Sequence, residues 1–281
     1  MVRNLKEKFM EIVFLMTACA SILAVALICI FLFSSGLPAM KEIGITDFLF
    51  GEIWRPGNQI FGIFPMIVGS IYVTALAALI GVPIGLFMAV YLAMYCPAKL
   101  YKLLKPAVDL LAGIPSIVYG FFGMVVIVPA VRWFFNEVID LGGKGDSILT
   151  ASIVLGIMIL PTIIGAAEPA LRAVPKMYYE GALELGADHE RSTFFVVVPA
   201  ARSGILASVI LGIGRAIGET MAVVMIAGNQ PRMPESILKG VRTMTANIVM
   251  EMGYATDLHR EALIATCLLY TSPSPRDPKT S

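Results

Sequence analysis

Charged residues are scarce in this chain of 281 amino acids, where they make up 15% of the sequence against 58% for hydrophobic residues. The mean hydropathy of +0.83 is too high for an ordinary soluble domain. The formal net charge of +1 gives no basic excess of the kind that nucleic-acid-binding proteins carry. These scarcities argue against a soluble fold and a nucleic-acid partner, and they indicate a membrane protein.

Metal ligands, disulfide patterns and nucleotide-binding motifs are lacking as well. The chain has four cysteines, none in a Cys-x-x-Cys pair, and two histidines, His189 and His259. We therefore predict no disulfide framework, no metal site and no cofactor. The stretch LGGKGDS fails the Gly-x-x-x-x-Gly-Lys-Ser/Thr pattern, so any ATP must be handled by another chain. No cluster of nucleophile and base suggests an enzyme.

Apolar runs long enough to cross a membrane follow one another along the chain. A bilayer core about 30 Å thick takes roughly 20 helical residues. Five runs reach that length, at residues 12–33, 61–96, about 106–134, about 149–170 and about 204–228. The first exceeds the core of a signal peptide, roughly 7–15 residues, so we interpret it as a retained helix rather than a cleaved leader. We expect the second to begin near Pro65 and the third to be kinked or broken within AGIPSIVYGFFG.

Basic residues predict the orientation of these runs. Lys99, Lys102 and Lys105 fill the short connection between the second and third runs, and the N-terminus is basic too. The positive-inside rule places both on the cytoplasmic side. The charged segment of residues 178–205 is then cytoplasmic, and the long loop of residues 230–261 faces the opposite side.

The C-terminal tail breaks a sixth apolar run, which begins at Ala262 and gives way to CLLYTSPSPRDPKTS. A half-length crossing would leave backbone groups without partners in lipid. Residues 267–277 also resemble the translation of a common transposase sequencing adapter. We therefore expect a membrane domain over residues 1–266, a full sixth helix in the intact gene, and an artefactual tail at residues 267–281. A genuine polar tail is the alternative.

The charged segment carries a spaced motif: Glu180, Gly181 and Ala182, then three residues, Gly186, nine residues, and Val-Val-Val-Pro ending at Pro199. It resembles the EAA loop of ABC importer permeases, with Gly181 as a departure that slightly weakens a helix. The resemblance implies that a coupling segment of about residues 176–202 docks onto a separate ATPase subunit. We predict a helix over residues 176–185 that ends where Gly186 adopts the left-handed conformation, then a second short helix. The alternative is an ordinary interfacial amphipathic loop.

Three further stretches, FGIFPMIVGSIYVT, LLAGIPSIVYGFFG and GIGRAIGETMAVVMIAGN, narrow the resemblance. They are similar to the phosphate importer permeases, closest to the PstC type, over nearly the whole chain to Thr266. The resemblance implies an all-α, polytopic ABC importer permease (MetI-like) fold with six transmembrane helices in the bacterial or archaeal inner membrane. It also implies ABC ATPase subunits, a sister permease of the PstA type and an extracytoplasmic phosphate-binding protein as partners, and phosphate as cargo.

Arg215 and Glu219 are the only charges in the fifth run, where a continuous helix would place them four apart on one face. A charge at the centre of a membrane helix costs about 2.5–3.5 kcal/mol on insertion scales, so such a pair faces protein or water. The planar fork of Arg suits phosphate, and Glu219 can hold it when no anion is present. The resemblance associates both positions with phosphate passage, and a structural salt bridge is the alternative. Gly214 and Gly218 have a Gly-x-x-x-Gly spacing that lets a neighbouring helix approach.

Other polar groups leave their roles open. The hydroxyls of Ser116, Tyr119 and Thr162 can serve a passing anion or helix packing equally well. Glu168 and Arg172 are expected to form an interfacial ion pair. Another oxyanion, molybdate or sulfate, is an alternative cargo, because a single Arg indicates that the cargo is an anion but not which anion it is. A secondary anion transporter is a further alternative, although it would have no reason to carry the spaced motif.

Overall fold

The structure is a computed structural model that describes residues 2–138 and 143–271. Its helices are α1 (Val2–Ile43), α2 (Ile45–Phe50), α3 (Phe64–Val90), α4 (Ala98–Gly113), α5 (Ser116–Phe122), α6 (Val128–Trp133), α7 (Ile148–Arg172), α8 (Lys176–Glu184), α9 (His189–Ser192), α10 (Val198–Ala200), α11 (Arg202–Gly218), α12 (Met221–Ile226), α13 (Met244–Glu251) and α14 (Asp257–Thr271). Single π-helical turns lie at Tyr91–Tyr95, Gly123–Ile127, Phe134–Val138 and Thr193–Val197. The strands β1 (Trp54–Arg55) and β2 (Ile60–Phe61) form an antiparallel hairpin that the sequence did not predict.

Contacts divide the chain into two compact units, Met1–Ile63 with Glu251–Ser281, and Phe64–Met250. In the first unit α14 packs along α1, and a Cβ on Gly36 would lie 3.1 Å from the Ala265 Cα. The hairpin is fixed by Trp54, whose Nε1 donates to Glu251 Oε2 at 2.9 Å. The sixth apolar run lies within α14, which begins five residues before Ala262 and continues to Thr271. Residues 272–281 of the predicted tail lie outside the described residues.

In the second unit α7 is the central helix, and a stripe of small residues on α3 packs directly against it. The stripe repeats every four residues, one turn of helix, through Val73, Ala77, Gly81, Gly85 and Ala89. A Cβ on Gly81 would lie 2.7 Å from Ile159 Cδ1 and 2.8 Å from the Gly156 carbonyl oxygen. The two backbones are therefore close enough that α3 tolerates no larger residue at this contact.

The helix α11 packs on α7 through a second stripe of the same four-residue period: Gly204, Ser208, Gly212 and Ala216. A Cβ on Gly212 would lie 2.6 Å from Ile163 Cγ1, and one on Gly204 would lie 2.3 Å from Ala170 Cβ. The helices α5 and α12 complete this core, which explains why two thirds (67%) of the apolar window of α7 is buried.

Four described helices are long and apolar enough to cross a membrane, at Glu7–Ile43, Phe64–Tyr95, Ser116–Val138 and Ile148–Arg172. The bent pair His189–Ala200 and Arg202–Gly218 makes five if it is counted as one span. The second span begins near Pro65, as predicted.

Three expected boundaries need correction. The third run divides at Ile114 and Pro115, within AGIPSIVYGFFG as predicted, but Lys99, Lys102 and Lys105 lie in the separate helix α4 rather than in a connecting loop. The fifth run also divides, after Gly218. The loop of residues 230–261 contains α13.

Candidate functional site

The first helix of the coupling segment, α8, begins at Lys176 as predicted and ends in a well-formed cap. Gly186 has φ +88°, the left-handed conformation that the sequence indicated. The Ala187 N–H donates to the Ala182 carbonyl and the Gly186 N–H donates to the Leu183 carbonyl, at 3.0 and 2.9 Å. This pair of bonds is the Schellman motif, and it satisfies carbonyls that the helix end would otherwise leave free.

A second short helix, α9, follows at once and leads into the membrane. Asp188 caps it by accepting the Arg191 N–H at Oδ1, over 2.6 Å. A π-helical turn and α10, with Pro199 in its first turn, complete the segment. The direction of the chain then changes by 72° between Ala200 and Arg202, where α11 begins. The motif residues Glu180 and Pro199 therefore lie in two different helices of one bent unit.

The outer face of α8 is open to a partner. Glu180 is exposed, and a Cβ on Gly181 would meet no atom within 4 Å. Two apolar side chains stand beside them with most of their surface uncovered, Met177 at 71% and Leu185 at 91%. Ala182 is partly buried on the other side of the helix. An exposed apolar face rimmed by a carboxylate is typical of a surface that another protein covers.

Arg215 lies on α11 beside its buried stripe, and its side chain is exposed. Its Nη1 donates to Thr162 Oγ1 on α7 at 3.5 Å. The expectation of an ion pair with Glu219 on one continuous helical face is wrong, since the helix ends at Gly218 and Glu219 is extended, with φ −72° and ψ 129°. Over the described ranges no salt bridge joins the two residues. A guanidinium that is exposed and lightly held can still bind an anion.

Glu219 instead organises the break between α11 and α12. Its Oε1 accepts the Thr220 and Ala222 N–H groups, both at 3.1 Å, and thereby caps α12. Its backbone carbonyl accepts the Thr245 hydroxyl at 3.4 Å. Sequence reasoning found the two charges but missed this role, because nothing in Gly-Glu-Thr marks a helix break in the way that Pro would.

The contacts of the remaining small and polar residues in the membrane region show which of them take part in helix packing. The Tyr119 hydroxyl donates to the Leu111 carbonyl at 2.8 Å, across the break between α4 and α5, so helix packing already uses it. Ser116 and Thr162 are partly buried. Gly214 makes no close contact with the described part of the chain, where a Cβ on it would meet no atom within 4 Å. The close approach predicted for the Gly-x-x-x-Gly pair is made instead by Gly212.

A buried carboxylate, Glu168, collects three side chains at the end of α7, next to the coupling segment. Arg172 Nε and the Tyr101 hydroxyl donate to its Oε1 at 2.6 and 2.7 Å, and Lys105 Nζ lies 3.1 Å from its Oε2. Arg172 also donates to the Leu92 carbonyl at 2.7 Å. The predicted ion pair with Arg172 is thus confirmed, and α3, α4 and α7 are joined at one point.

The sequence missed the part that α4 plays in this cluster, although Tyr101 and Lys105 are four apart and share a helix face. The hydrogen bond to Glu168 raises the pKa of the Tyr101 hydroxyl above its ordinary value, so the hydroxyl remains a donor. Burial opposes the charge of Lys105, but Glu168 and Asp109 outweigh it and raise its pKa. Both groups therefore stay protonated at neutral pH.

The sequence of this chain is similar to those of known transport proteins. The sequence model of the binding-protein-dependent transport system inner membrane component matches residues 81–272. A probable ABC transporter permease protein, YqgH of Bacillus subtilis, is 39% identical over 86% of this chain and 79% of its own. The phosphate transport system permease protein PstC of Mesorhizobium japonicum is 35% identical over 90% and 83%. A probable PstC of Methanocaldococcus jannaschii is 31% identical over 80% and 76%.

Among solved structures, an amino acid ABC transporter crystallised with histidines gives a TM-score of 0.48 at 17% identity, covering 73% of this chain and 84% of that one. That likeness is too low to support a conclusion about the fold. The family match and the identities above extend over most of the chain and need no such support. The chain therefore belongs to the family of inner membrane components of binding-protein-dependent transport systems.

Proposed function

We propose that this chain is the permease subunit of an ATP-driven importer that moves inorganic phosphate across the inner membrane by alternating access. The observation that carries the proposal is the coupling segment, in which the spaced motif coincides with two capped helices and an uncovered apolar face. Such a segment suits a protein that receives force from a separate ATPase subunit. Binding of ATP to those subunits would shift the permease between inward-open and outward-open states.

The cargo is proposed from Arg215 together with the names of the relatives. Several relatives are called phosphate transport system permeases, with identities of 31–35% among those cited above. Arg215 offers a planar donor fork on an exposed flank of α11, and Thr162 supports it from α7. Glu219 would shape the path by fixing the break in the helix and by keeping a negative charge near it. Sulfate or molybdate is the alternative cargo.

The partners and orientation follow from the same proposal. One of two ATPase subunits would bind α8 and α9 in the cytoplasm through Glu180, Gly181, Ala182 and Gly186, with Pro199 fixing the entry into the membrane. The N-terminus would be cytoplasmic, and the loop of residues 230–243 would face an extracytoplasmic phosphate-binding protein. A sister permease would cover the uncovered flank of α11, where Gly214 leaves room for a close helix. The domain boundary after residue 266 remains part of this proposal.

Uptake of radiolabelled phosphate tests the cargo. Cells without a phosphate importer of their own would receive this gene, with its 3′ end re-sequenced, and its partner subunits. We expect energy-dependent uptake that resists excess sulfate and molybdate and is lost in Arg215→Gln with the complex still assembled. Lys102→Gln also removes one exposed positive charge, and it should leave uptake unchanged. Competition by sulfate or molybdate would assign another cargo, and normal uptake in Arg215→Gln would remove Arg215 from the path.

A further inference from the structure

His189 joins the coupling segment to the end of α3 through two side-chain contacts. Its Nδ1 lies 2.5 Å from the hydroxyl oxygen of Tyr179 on α8. Its ring centroid lies 4.4 Å from that of Tyr95, with the planes tilted by 55°. His189 itself is the first residue of α9, and Tyr95 is the last residue of the π-helical turn that extends α3. The imidazole on α9 therefore links α8 to the π-helical turn that extends α3.

The corner between α8 and α9 is held by backbone bonds at Gly186 and by the Asp188 cap, with open space on its outer side. A Cβ on Gly186, at the corner itself, would meet no atom within 4 Å. The helix α9 is only four residues long, too short to hold an angle by its own packing. Glycine has more conformational freedom than other residues, so side chains that span such a corner help to fix its angle. The hydrogen bond between Tyr179 and His189 spans the corner in this way.

An apolar cluster lies beneath the imidazole and connects the same elements. Its buried members come from α3, α7 and the coupling segment: Ala89, Val90, Ala167, Leu171, Val197 and Ala201. Tyr95 and Tyr179 pack against this cluster. Tyr179 and His189 also line a cavity with Met94, Leu171 and Val197, so a displacement of either side chain reaches the end of α3 through the ring contact between His189 and Tyr95.

We propose that His189 is a positioning residue for transport coupling, holding α8 at a fixed angle to α9 and passing the movement of the coupling segment to α3. The chain itself joins the segment to α7 at its start and, after a turn of 72°, to α11 at its end. The His189 contacts add a path to α3, the other helix packed on α7, through the π-helical turn that extends it. This proposal rests on the proposed coupling to ATPase subunits.

The two contacts can be separated by substitution. His189→Phe keeps a ring over Tyr95 and removes the hydrogen bond to Tyr179. His189→Asn keeps a polar atom close to the position of Nδ1 and removes the ring. Tyr95→Phe is a matched control, because the Tyr95 hydroxyl is shielded from solvent and has no hydrogen-bond partner in the described part of the chain.

The test measures ATP hydrolysed and phosphate transported by the complete complex in liposomes, with assembly and thermal midpoint recorded for each variant. We expect His189→Ala to assemble and hydrolyse ATP but to move about tenfold less phosphate per ATP. His189→Phe and His189→Asn should each lose about threefold. Tyr95→Phe should match the wild type. A residue that only stabilised the fold would lower the midpoint and leave the ratio of phosphate to ATP unchanged.

Different results would contradict the role of His189 and the proposed function. If Leu185→Glu abolishes ATPase binding while His189→Ala, Phe and Asn keep the wild-type ratio, the coupling segment docks as proposed and the role of His189 is overturned. A lowered ratio in Tyr95→Phe would also contradict the ring contact. If the wild-type chain neither binds ATPase subunits nor transports with ATP, the proposed function itself falls.

Discussion

At the level of single residues, two ion pairs of identical spacing have very different surroundings. Glu168 is 2% exposed and receives three donors, whereas Glu235 is 69% exposed and pairs with Lys239. Removing a nearly buried carboxylate leaves its cations and hydroxyl without the partner that compensates their burial. Removing an exposed one costs little because water replaces it.

Glu168→Ala is therefore expected to lower the free energy of unfolding by about 2–3 kcal/mol, at the low edge of the range for a broken buried pair because Lys105 and Arg172 are partly exposed. Glu235→Ala is the matched control and should leave the thermal midpoint of the purified protein unchanged. Thermal unfolding in detergent measures both. Equal midpoints for the two variants would show that the Glu168 cluster contributes nothing to stability.

Glu219 combines a capping role with a charge, and two substitutions separate them. Glu219→Gln keeps an oxygen that accepts the Thr220 and Ala222 N–H groups, so α12 should remain capped and the complex should assemble. We expect its rate of phosphate transport to differ from that of the wild type while assembly is unchanged, since this substitution removes only the negative charge beside the path. Glu219→Ala should lose the cap as well, at about 1 kcal/mol, and lower the thermal midpoint. Wild-type uptake in Glu219→Gln would leave Glu219 with the capping role alone.

How far the sequence predicts this site depends on the residue. Gly186 and the start of α8 could be predicted because glycine and the motif spacing act locally. The break at Glu219 could not, since α3 and α7 continue through Pro83, Pro161 and Pro169 while α11 ends without a proline. Packing against neighbours decides where these helices end. The contact between Tyr95 and His189 could not be predicted either, because the two residues are 94 positions apart in the sequence.

At the level of elements, the contact between α3 and α7 depends on the absence of side chains. Gly81→Ala places a Cβ 2.7 Å from Ile159 Cδ1 and 2.8 Å from a backbone oxygen that cannot move aside. We expect a loss of about 1–3 kcal/mol of stability from overpacking. Gly165→Ala is the control on α7, where a Cβ meets no atom within 4 Å, and it should be neutral or stabilising by about 0.5–1 kcal/mol. Thermal midpoints of the two purified variants check this, and a destabilised Gly165→Ala would contradict it.

The element α4 shows why boundaries were harder to predict than spans. Long apolar runs identify α3 and α7 without ambiguity, since few other structures need so many apolar residues in sequence. The lysines of α4 suggested a connecting loop because they are charged. They belong instead to an amphipathic helix, which buries Tyr101 and Val108 partly or fully and exposes Lys99 and Lys102. A loop and an amphipathic interfacial helix have similar composition and differ only in periodicity.

At the level of the whole molecule, the family confirms the predicted all-α ABC permease (MetI-like) fold. The number of spans and the orientation stay predictions. Single cysteines at Lys102→Cys and Glu235→Cys, in a chain whose four native cysteines are replaced, test the orientation. We expect a membrane-impermeant maleimide to label Glu235→Cys in intact spheroplasts and Lys102→Cys only after lysis. The opposite labelling would invert the proposed topology and place the coupling segment outside the cell.

The small-residue stripes on α3 and α11 also have a genetic consequence. Every single-base missense change in a glycine codon adds at least a Cβ, and Gly81, Gly204 and Gly212 each have a neighbouring heavy atom within 2.7 Å of that position. Spontaneous mutants that lose transport should therefore accumulate along these two lines of contact with α7. The exposed glycines, Gly57, Gly113 and Gly165, should accept changes to Ala or Ser silently, since a Cβ on each has open space around it.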